Sequence, residues 1–366
     1  MKKHWCVFAG AVLAACSTSS SAPQGPAPDA GTTEPAPPPP PYALAALDKA
    51  HIGSKSEAPD FHVAKGDFEA KEGPHAEVKL VVDLATTCFP FEQWKDDPPP
   101  AGQNFPPGCD AFDRNFEVAL FDPAKPDAPG LELVHAITPF GGPLHIEVDV
   151  TDIFQTIRGK RRVEVTIPTY SDGAGKVTGS NGGWTVSARF EVTPGAAPRK
   201  VLAVVPLVYT SLTKGGVEQP YPFSLPEGTA YTRVEYLASG HGGGKGELVI
   251  CIGPADEFCE RKHTLRADNA VVLSKSLWRQ DCDKLCTITA GGPFKSYCKE
   301  NPCGAPESVR APRANWCPGS TTPPVVLEPE AFAKPGDHTL GVTVDTIADG
   351  GSWRVSAKVF AYAERP

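Results

Sequence analysis

Three short segments concentrate the residue types that acid–base chemistry and polar recognition require. Cys109-Asp-Ala-Phe-Asp-Arg-Asn115 sets Asp113 directly beside Arg114. A neighbouring guanidinium depresses a carboxylic acid and keeps it ionised, as a base that activates water must be. Taken alone, the same pair is also what an exposed ion pair of little energetic weight looks like. Cys251-Ile-Gly-Pro-Ala-Asp-Glu-Phe-Cys259, followed by Arg261 and His263, is the second segment. A disulfide across it closes a small loop that presents Asp256 or Glu257. The third, Arg310-Ala-Pro-Arg-Ala-Asn-Trp-Cys-Pro-Gly319, supplies a donor fork at Arg313 and a stacking face at Trp316. That combination suits sugars and amides, and it equally describes a structural tryptophan beside a disulfide. Ser239-Gly-His-Gly-Gly-Gly-Lys-Gly246 is glycine-rich but has neither Walker spacing nor a following helix, so it is a poor phosphate cradle.

Strands must hold these segments. Alternating or apolar runs bounded by turn residues predict strands over 75–84, 116–121, 145–150, 162–167 and 184–192. Further strands are predicted over 200–209, 232–237, 247–252, 338–344 and 353–362. Helical periodicity is scarce, with a turn or two expected in Val150–Arg158. The chain also repeats itself. Val165-Thr-Ile-Pro-Thr-Tyr-Ser-Asp172 precedes Gly183-Trp-Thr-Val-Ser-Ala-Arg-Phe190, and Val342-Thr-Val-Asp-Thr-Ile-Ala-Asp349 precedes Ser352-Trp-Arg-Val-Ser-Ala-Lys-Val359. Two tandem antiparallel β-sandwiches meeting near Pro194–Lys200 account for this, with Trp184 and Trp353 as equivalent core anchors.

The chain opens with Met-Lys-Lys, a short apolar run and Leu13-Ala-Ala-Cys16, the parts of an export signal too short to span a bilayer. Leu13–Cys16 is similar to a bacterial lipobox, which predicts a signal over 1–16 and an acylated Cys16 as a membrane anchor. Residues 17–58, rich in proline and alanine, are expected to form a disordered tether. The folded part is then an N-terminal sandwich over 59–196 and a C-terminal one over 197–366. Glycine 35, proline 40 and 21% charged residues fit a turn-rich β-protein. A net charge of −8 argues against nucleic acid as a partner. Of 11 cysteines, nine remain after Cys6 and Cys16 are set aside. In an exported chain these should mostly form disulfides, with Cys88–Cys109, Cys251–Cys259 and Cys282–Cys317 the expected pairs and at least one thiol left over. Cys282-x3-Cys286 and Cys298-x4-Cys303 lack the tight spacing and nearby histidines of zinc modules, so no metal is expected.

Together, Cys-Asp-Ala-Phe-Asp-Arg, Ile137-Thr-Pro-Phe140, Val148–Phe154, Ser239-Gly-His-Gly242, Asp256-Glu-Phe-Cys259 and Arg313-Ala-Asn-Trp-Cys-Pro-Gly319 resemble the peptide-N-glycosidase F family. The resemblance runs in the family's order from about residue 60 to 364. It implies two eight-stranded antiparallel jelly rolls side by side. It also implies a secreted amidase that splits the bond between an asparagine side chain and N-acetylglucosamine without a cofactor, an N-linked glycoprotein or glycopeptide being the partner. By position, Asp113 and Glu257 are the expected catalytic acids, and Arg114, Arg313, Tyr170, His241 and Trp316 the expected substrate-binding residues. His241 stands where the family carries a cleft tryptophan, and Pro168 where it carries an acid. The second departure motivates an alternative: a glycan-binding lipoprotein short of one catalytic group. A copper monooxygenase on paired jelly rolls is a remote third reading, disfavoured because the histidines are scattered and Met1 is the only methionine.

Overall fold

The computed structural model describes residues 39–53, 61–169, 182–243, 251–253 and 255–365. The signal, Cys16, Tyr170, Asp172 and most of the strand expected over 247–252 lie outside the described residues. Strands β1 (Tyr42–Ile52), β2 (Val63–Ala70), β3 (His75–Thr86), β4 (Asn115–Phe121), β5 (Leu131–Ile137), β6 (Leu144–Asp149), β7 (Gly159–Thr166) and β8 (Trp184–Pro194) make the first sandwich. Its sheets run β1-β8-β3-β6 and β5-β4-β7-β2. The helical turn α1 (Thr151–Phe154) falls within the segment where one was expected.

After the connection 195–200 come β9 (Val201–Leu212), β10 (Gln219–Leu225), β11 (Tyr231–Gly242), β12 (Arg261–Ala267) and β13 (Ala270–Leu277). A small hairpin of β14 (Ile288–Ala290) and β15 (Ser296–Cys298) precedes the short helix α2 (Pro306–Arg310). The last strands are β16 (Ser320–Thr321), β17 (Val325–Leu327), β18 (Gly336–Val344) and β19 (Gly351–Tyr362). The second pair of sheets runs β9-β19-β11-β17 and β10-β18-β12-β13, while β16 adds to the edge of the first sandwich beside β5. Each strand of the first sandwich has its counterpart in the second: β8 lies between β1 and β3 as β19 lies between β9 and β11, and β7 lies between β2 and β4 as β18 lies between β10 and β12. All the named pairings are antiparallel. The chain is therefore two eight-stranded jelly-roll sandwiches.

The sequence repeat has a structural cause in this arrangement. β7 and β8 belong to opposite sheets of one sandwich, as do β18 and β19 of the other, so each repeat unit crosses its own core rather than forming a hairpin. Trp184 and Trp353, 1% and 0% exposed, open the strand that arrives on the far side and fill equivalent core positions. In β8 every second residue is buried, from Trp184 through Val186, Ala188 and Phe190 to Val192, as a strand with one face on the core requires.

The tether expected over 17–58 needs correction, because Tyr42–Ile52 is a strand that pairs with β8 from Tyr42 opposite Val192 to Ile52 opposite Trp184. Leu47 and Ile52 enter the first core. Two irregularities of register, at Ala45/Leu47 and Leu47/Ala50, shift which face each residue meets and remove the period of two from the sequence.

The two sandwiches meet through β4 and β5 of the first and β9, β11 and β19 of the second. Charged and apolar contacts share this interface. Arg354 on β19 donates to both oxygens of Glu117 on β4, each at 2.7 Å, and the Tyr209 hydroxyl on β9 donates to the same carboxylate at 2.6 Å. Phe360 and Tyr362 add apolar weight by packing into the first core. Buried charges stay where they are only when paired this fully, so the interface fixes the edges from which the loops project.

Candidate functional site

Disulfides frame the three segments singled out above. Cys88–Cys109, Cys251–Cys259 and Cys282–Cys317 are joined as expected, and Cys286 pairs with Cys298. Among the described residues Cys303 is the free cysteine; it is buried, and burial pushes its thiol up to about 12. Its sulfur lies with those of Cys88 and Cys109 in a cluster spanning 4.8 Å, the one grouping of metal-ligating side chains among the described residues, but two of the three are already bonded to each other.

In the first segment the two aspartates divide the work. Asp110 is fully buried, accepts the Arg114 Nε–H at 3.1 Å and caps the backbone N–H of Phe112 at 3.3 Å. Burial pushes its carboxyl up to about 6 against the pull of Arg114. Asp110 thus aims Arg114 and shapes the turn that turns Asp113 outward. The Arg114 backbone is pinned in turn by Thr138, whose hydroxyl accepts the Arg114 N–H at 2.9 Å.

The small cysteine loop follows the same plan. Asp256 is fully buried, takes two bonds from the Arg261 guanidinium, at 2.9 and 2.5 Å, and accepts the Ala348 N–H at 2.9 Å. Glu257 is left beside Arg313 with 29% of its side chain exposed. The sequence offered either acid, and the structure assigns Asp256 to the scaffold and Glu257 to the site.

The third segment supplies the cation between them. Arg313 is 1% exposed, with Nη2 3.9 Å from Asp113 Oδ2 and Nη1 3.6 Å from Glu257 Oε1. Nη2 donates to the Ser308 carbonyl at 2.8 Å and to its hydroxyl at 3.1 Å. The guanidinium is sandwiched near the rings of Phe258 and Trp316, at 4.7 and 4.6 Å. Nε and Nη1 are buried without a hydrogen-bond partner, and so is Nη2 of Arg114. Buried donors are almost always filled, so these mark a place prepared for oxygen atoms. Burial raises Asp113 above the ordinary carboxylate range, with Arg313 opposing. Glu257 is raised by burial and by the Asp113 charge, again against Arg313. The site is a pair of carboxylates, both shifted toward neutrality, around one desolvated cation.

Local chain geometry explains how Arg313-Ala-Asn-Trp reaches this position. Gly240 on β11 donates its N–H to the Ala314 carbonyl at 3.0 Å and accepts the Trp316 indole N–H at 2.8 Å. A Cβ at 240 would meet Ala314 Cβ at 2.7 Å and the Trp353 ring at 2.8 Å, so only glycine admits this approach. Asn315 adopts a positive φ of 67° and anchors there through its amide, which donates to the Ala238 carbonyl at 2.8 Å.

One of the expected substrate-binding residues changes role. Trp316 was expected to stack on a ligand, but it is 2% exposed, with Arg313 against its ring and His241 stacked on it at 5.5 Å and 28°. It supports the cleft residues; His241, only half-buried, is the ring that meets solvent. Pro168 is exposed and brings no carboxylate, and the neighbouring Thr169 is buried. Of the remaining expected residues, Asp113, Glu257 and Arg313 converge, Arg114 next to Asp113 is held by Asp110, and Tyr170 lies outside the described residues. Sequence reasoning passed over Asp110 and Ser308. The Asp-x-x-Asp spacing around Asp113 was the available signal for the first; the second acts through a backbone carbonyl that any residue carries.

Residues 209–360 match the family described as "Peptide-N-glycosidase F, C terminal". A search of the curated proteins finds no match. Among solved structures the chain is similar to PNGF-II at 17% identity and a TM-score of 0.64, over 89% of this chain and 66% of that one, so it spans just under two thirds of PNGF-II. It is also similar to PNGase F, a glycosylasparaginase from Flavobacterium meningosepticum, at 18% identity and a TM-score of 0.63, over 89% of this chain and 97% of that one. A peptide-N(4)-(N-acetyl-beta-D-glucosaminyl) asparagine amidase matches at 18% identity, a TM-score of 0.62 and the same coverage. These likenesses bear on the fold.

Proposed function

We propose that this peptide-N-glycosidase F-like chain hydrolyses the amide joining asparagine to N-acetylglucosamine in N-linked glycopeptides. The observation that carries the reading is the buried Arg313 guanidinium held 3.9 Å from Asp113 and 3.6 Å from Glu257 with two of its donors unfilled. Asp113, raised toward the working range of a base, takes a proton from the attacking water. As water adds to the amide carbon, charge grows on the carbonyl oxygen, and the free N–H groups of Arg313 and Arg114 receive it. Glu257 accepts a sugar hydroxyl or hands a proton to the departing nitrogen. The products are a peptide carrying aspartate and a glycosylamine, so the bond count closes with one water consumed. Release of glycan from a denatured glycoprotein by the wild type, and its loss in Asp113→Asn, tests the reading; equal release by both overturns it.

Pro168 favours a second reading, in which the cleft retains glycopeptide without turnover. Saturable binding of a glycopeptide that stays intact over days distinguishes it. In either case we propose that Cys16 carries lipid and that the protein works from a membrane surface. Incorporation of labelled fatty acid that disappears in Cys16→Ser tests this.

A further inference from the structure

A line of four polar side chains crosses from the first sandwich to the cleft of the second. Glu132 and His135 lie on β5, Ser239 and His241 on β11. Glu132 Oε1 is 2.9 Å from His135 Nδ1, His135 Nε2 is 2.5 Å from Ser239 Oγ, and Ser239 Oγ is 2.6 Å from His241 Nε2. Glu132, His135 and Ser239 are 2%, 3% and 0% exposed, so solvent supplies none of their partners. We infer that Glu132, His135 and Ser239 are positioning residues that fix the tautomer of His241, so that His241 presents its Nδ1–H to an acceptor oxygen of the bound sugar. The acceptor rests on the reading of the cleft given above; the relay does not.

Counting protons gives the direction. The Glu132 carboxylate only accepts, taking the Ser356 hydroxyl on one oxygen and the His135 Nδ1–H on the other. Ser239 has one hydroxyl proton and is approached by two ring nitrogens, so one ring donates to it and the other accepts from it. The charges around His135 choose which. Glu132 on its own strand and Glu117 on β4 face it, Arg354 on β19 holds Glu117, Lys358 on β19 donates to the Glu132 backbone carbonyl and pairs with Glu235, Tyr209 on β9 bonds Glu117, and Ser239 and His241 face it from β11. Burial alone lowers the His135 imidazole, but Glu132 at 2.9 Å and Glu117 beyond it outweigh burial and raise the group, so the buried carboxylates favour the ring with a proton on each nitrogen. Both of its nitrogens then donate, and the Ser239 hydroxyl turns toward His241. His241, pushed down to about 3 by burial and then by His135, Arg354 and Arg313, is neutral. With Nε2 accepting, its single proton sits on Nδ1. The ring that bears this proton is stacked on Trp316, which carries Arg313 at 4.6 Å, so the relay ends at the site. The sign with pH follows. Deprotonation of His135, on the alkaline side of an ordinary histidine, reverses the Ser239 hydroxyl and turns His241 Nδ1 from a donor into an acceptor.

The test uses nitrogen-15 histidine NMR on the full folded protein, with N,N′-diacetylchitobiose as the probe. Wild type should show His241 protonated on Nδ1 at neutral pH, and Ser239→Ala should abolish that preference and weaken chitobiose three- to tenfold, the worth of one hydrogen bond. Loss of the Nδ1 preference in the wild type alone at high pH supports the relay without any variant. His241 protonated on Nε2, with chitobiose bound, overturns the relay. Nδ1-protonated His241 without chitobiose binding instead overturns the sugar-binding reading, and with it the assigned acceptor.

Discussion

Replacing Arg313 by glutamine removes the cation shared by Asp113 and Glu257 while keeping a planar donor near Ser308. The separations are 3.9 and 3.6 Å. At about 4 Å and an effective dielectric of about 20 a pair is worth about 4 kcal/mol. Both carboxylates keep contact with water, so roughly half of that, about 2 kcal/mol, is a fair share after screening. Without that opposing cation each acid should titrate higher still in Arg313→Gln. Because both are already raised in the wild type by burial, the variant should push them further toward the protonated form and weaken the base. Carbon-13 titration of labelled carboxyl groups, assigned by Asp113→Asn and Glu257→Gln, reads the shift whether or not the protein turns over. The circular dichroism spectrum checks that the fold survives. A folded variant in which both acids titrate as in the wild type would refute the electrostatic account of the site.

Other perturbations probe the scaffold. Asp110 is raised to about 6, so the folded state binds its proton more tightly than the unfolded one, and stability falls as pH rises from about 4 to 6. Asp110→Asn should flatten that fall, worth up to about 3 kcal/mol, in denaturant midpoints measured across the window; an unchanged slope contradicts the assignment. Gly240→Ala forces a methyl to within 2.7 Å of Ala314 and should cost about 1–3 kcal/mol in urea unfolding. Opening Cys282–Cys317, which closes 35 residues, with Cys282→Ser should cost about 3–4 kcal/mol in the same measurement.

What could be read in the chain beforehand has a physical pattern. Strands with one face on the core, such as β8, announce themselves by alternation. β5, Leu-Glu-Leu-Val-His-Ala-Ile, is buried along its whole length, because one face meets its own core and the other the second sandwich. Its glutamate and histidine, on the interface side, leave no alternation to read, and no strand was expected there. β12, Arg-Lys-His-Thr-Leu-Arg-Ala, hides similarly, since its buried residues include Arg261, which serves Asp256, and His263. At the site, short motifs identified the right segments, but within Asp256-Glu257 the choice depended on Arg261 and Ala348, one of them 92 residues away. Trp316 looked like a binding face because nothing local shows that His241 and Arg313 cover it. The relay from Glu132 to His241 joins residues more than 100 positions apart and has no local signature.

The central claim is that Asp113, Glu257 and Arg313 act together on the asparagine–sugar amide. Mass analysis of a defined N-glycopeptide after incubation with the protein tests it most directly. The account predicts a peptide freed of the whole glycan with aspartate in place of the glycosylated asparagine. A glycopeptide returned intact, or cleaved to leave one N-acetylglucosamine on asparagine, would contradict it.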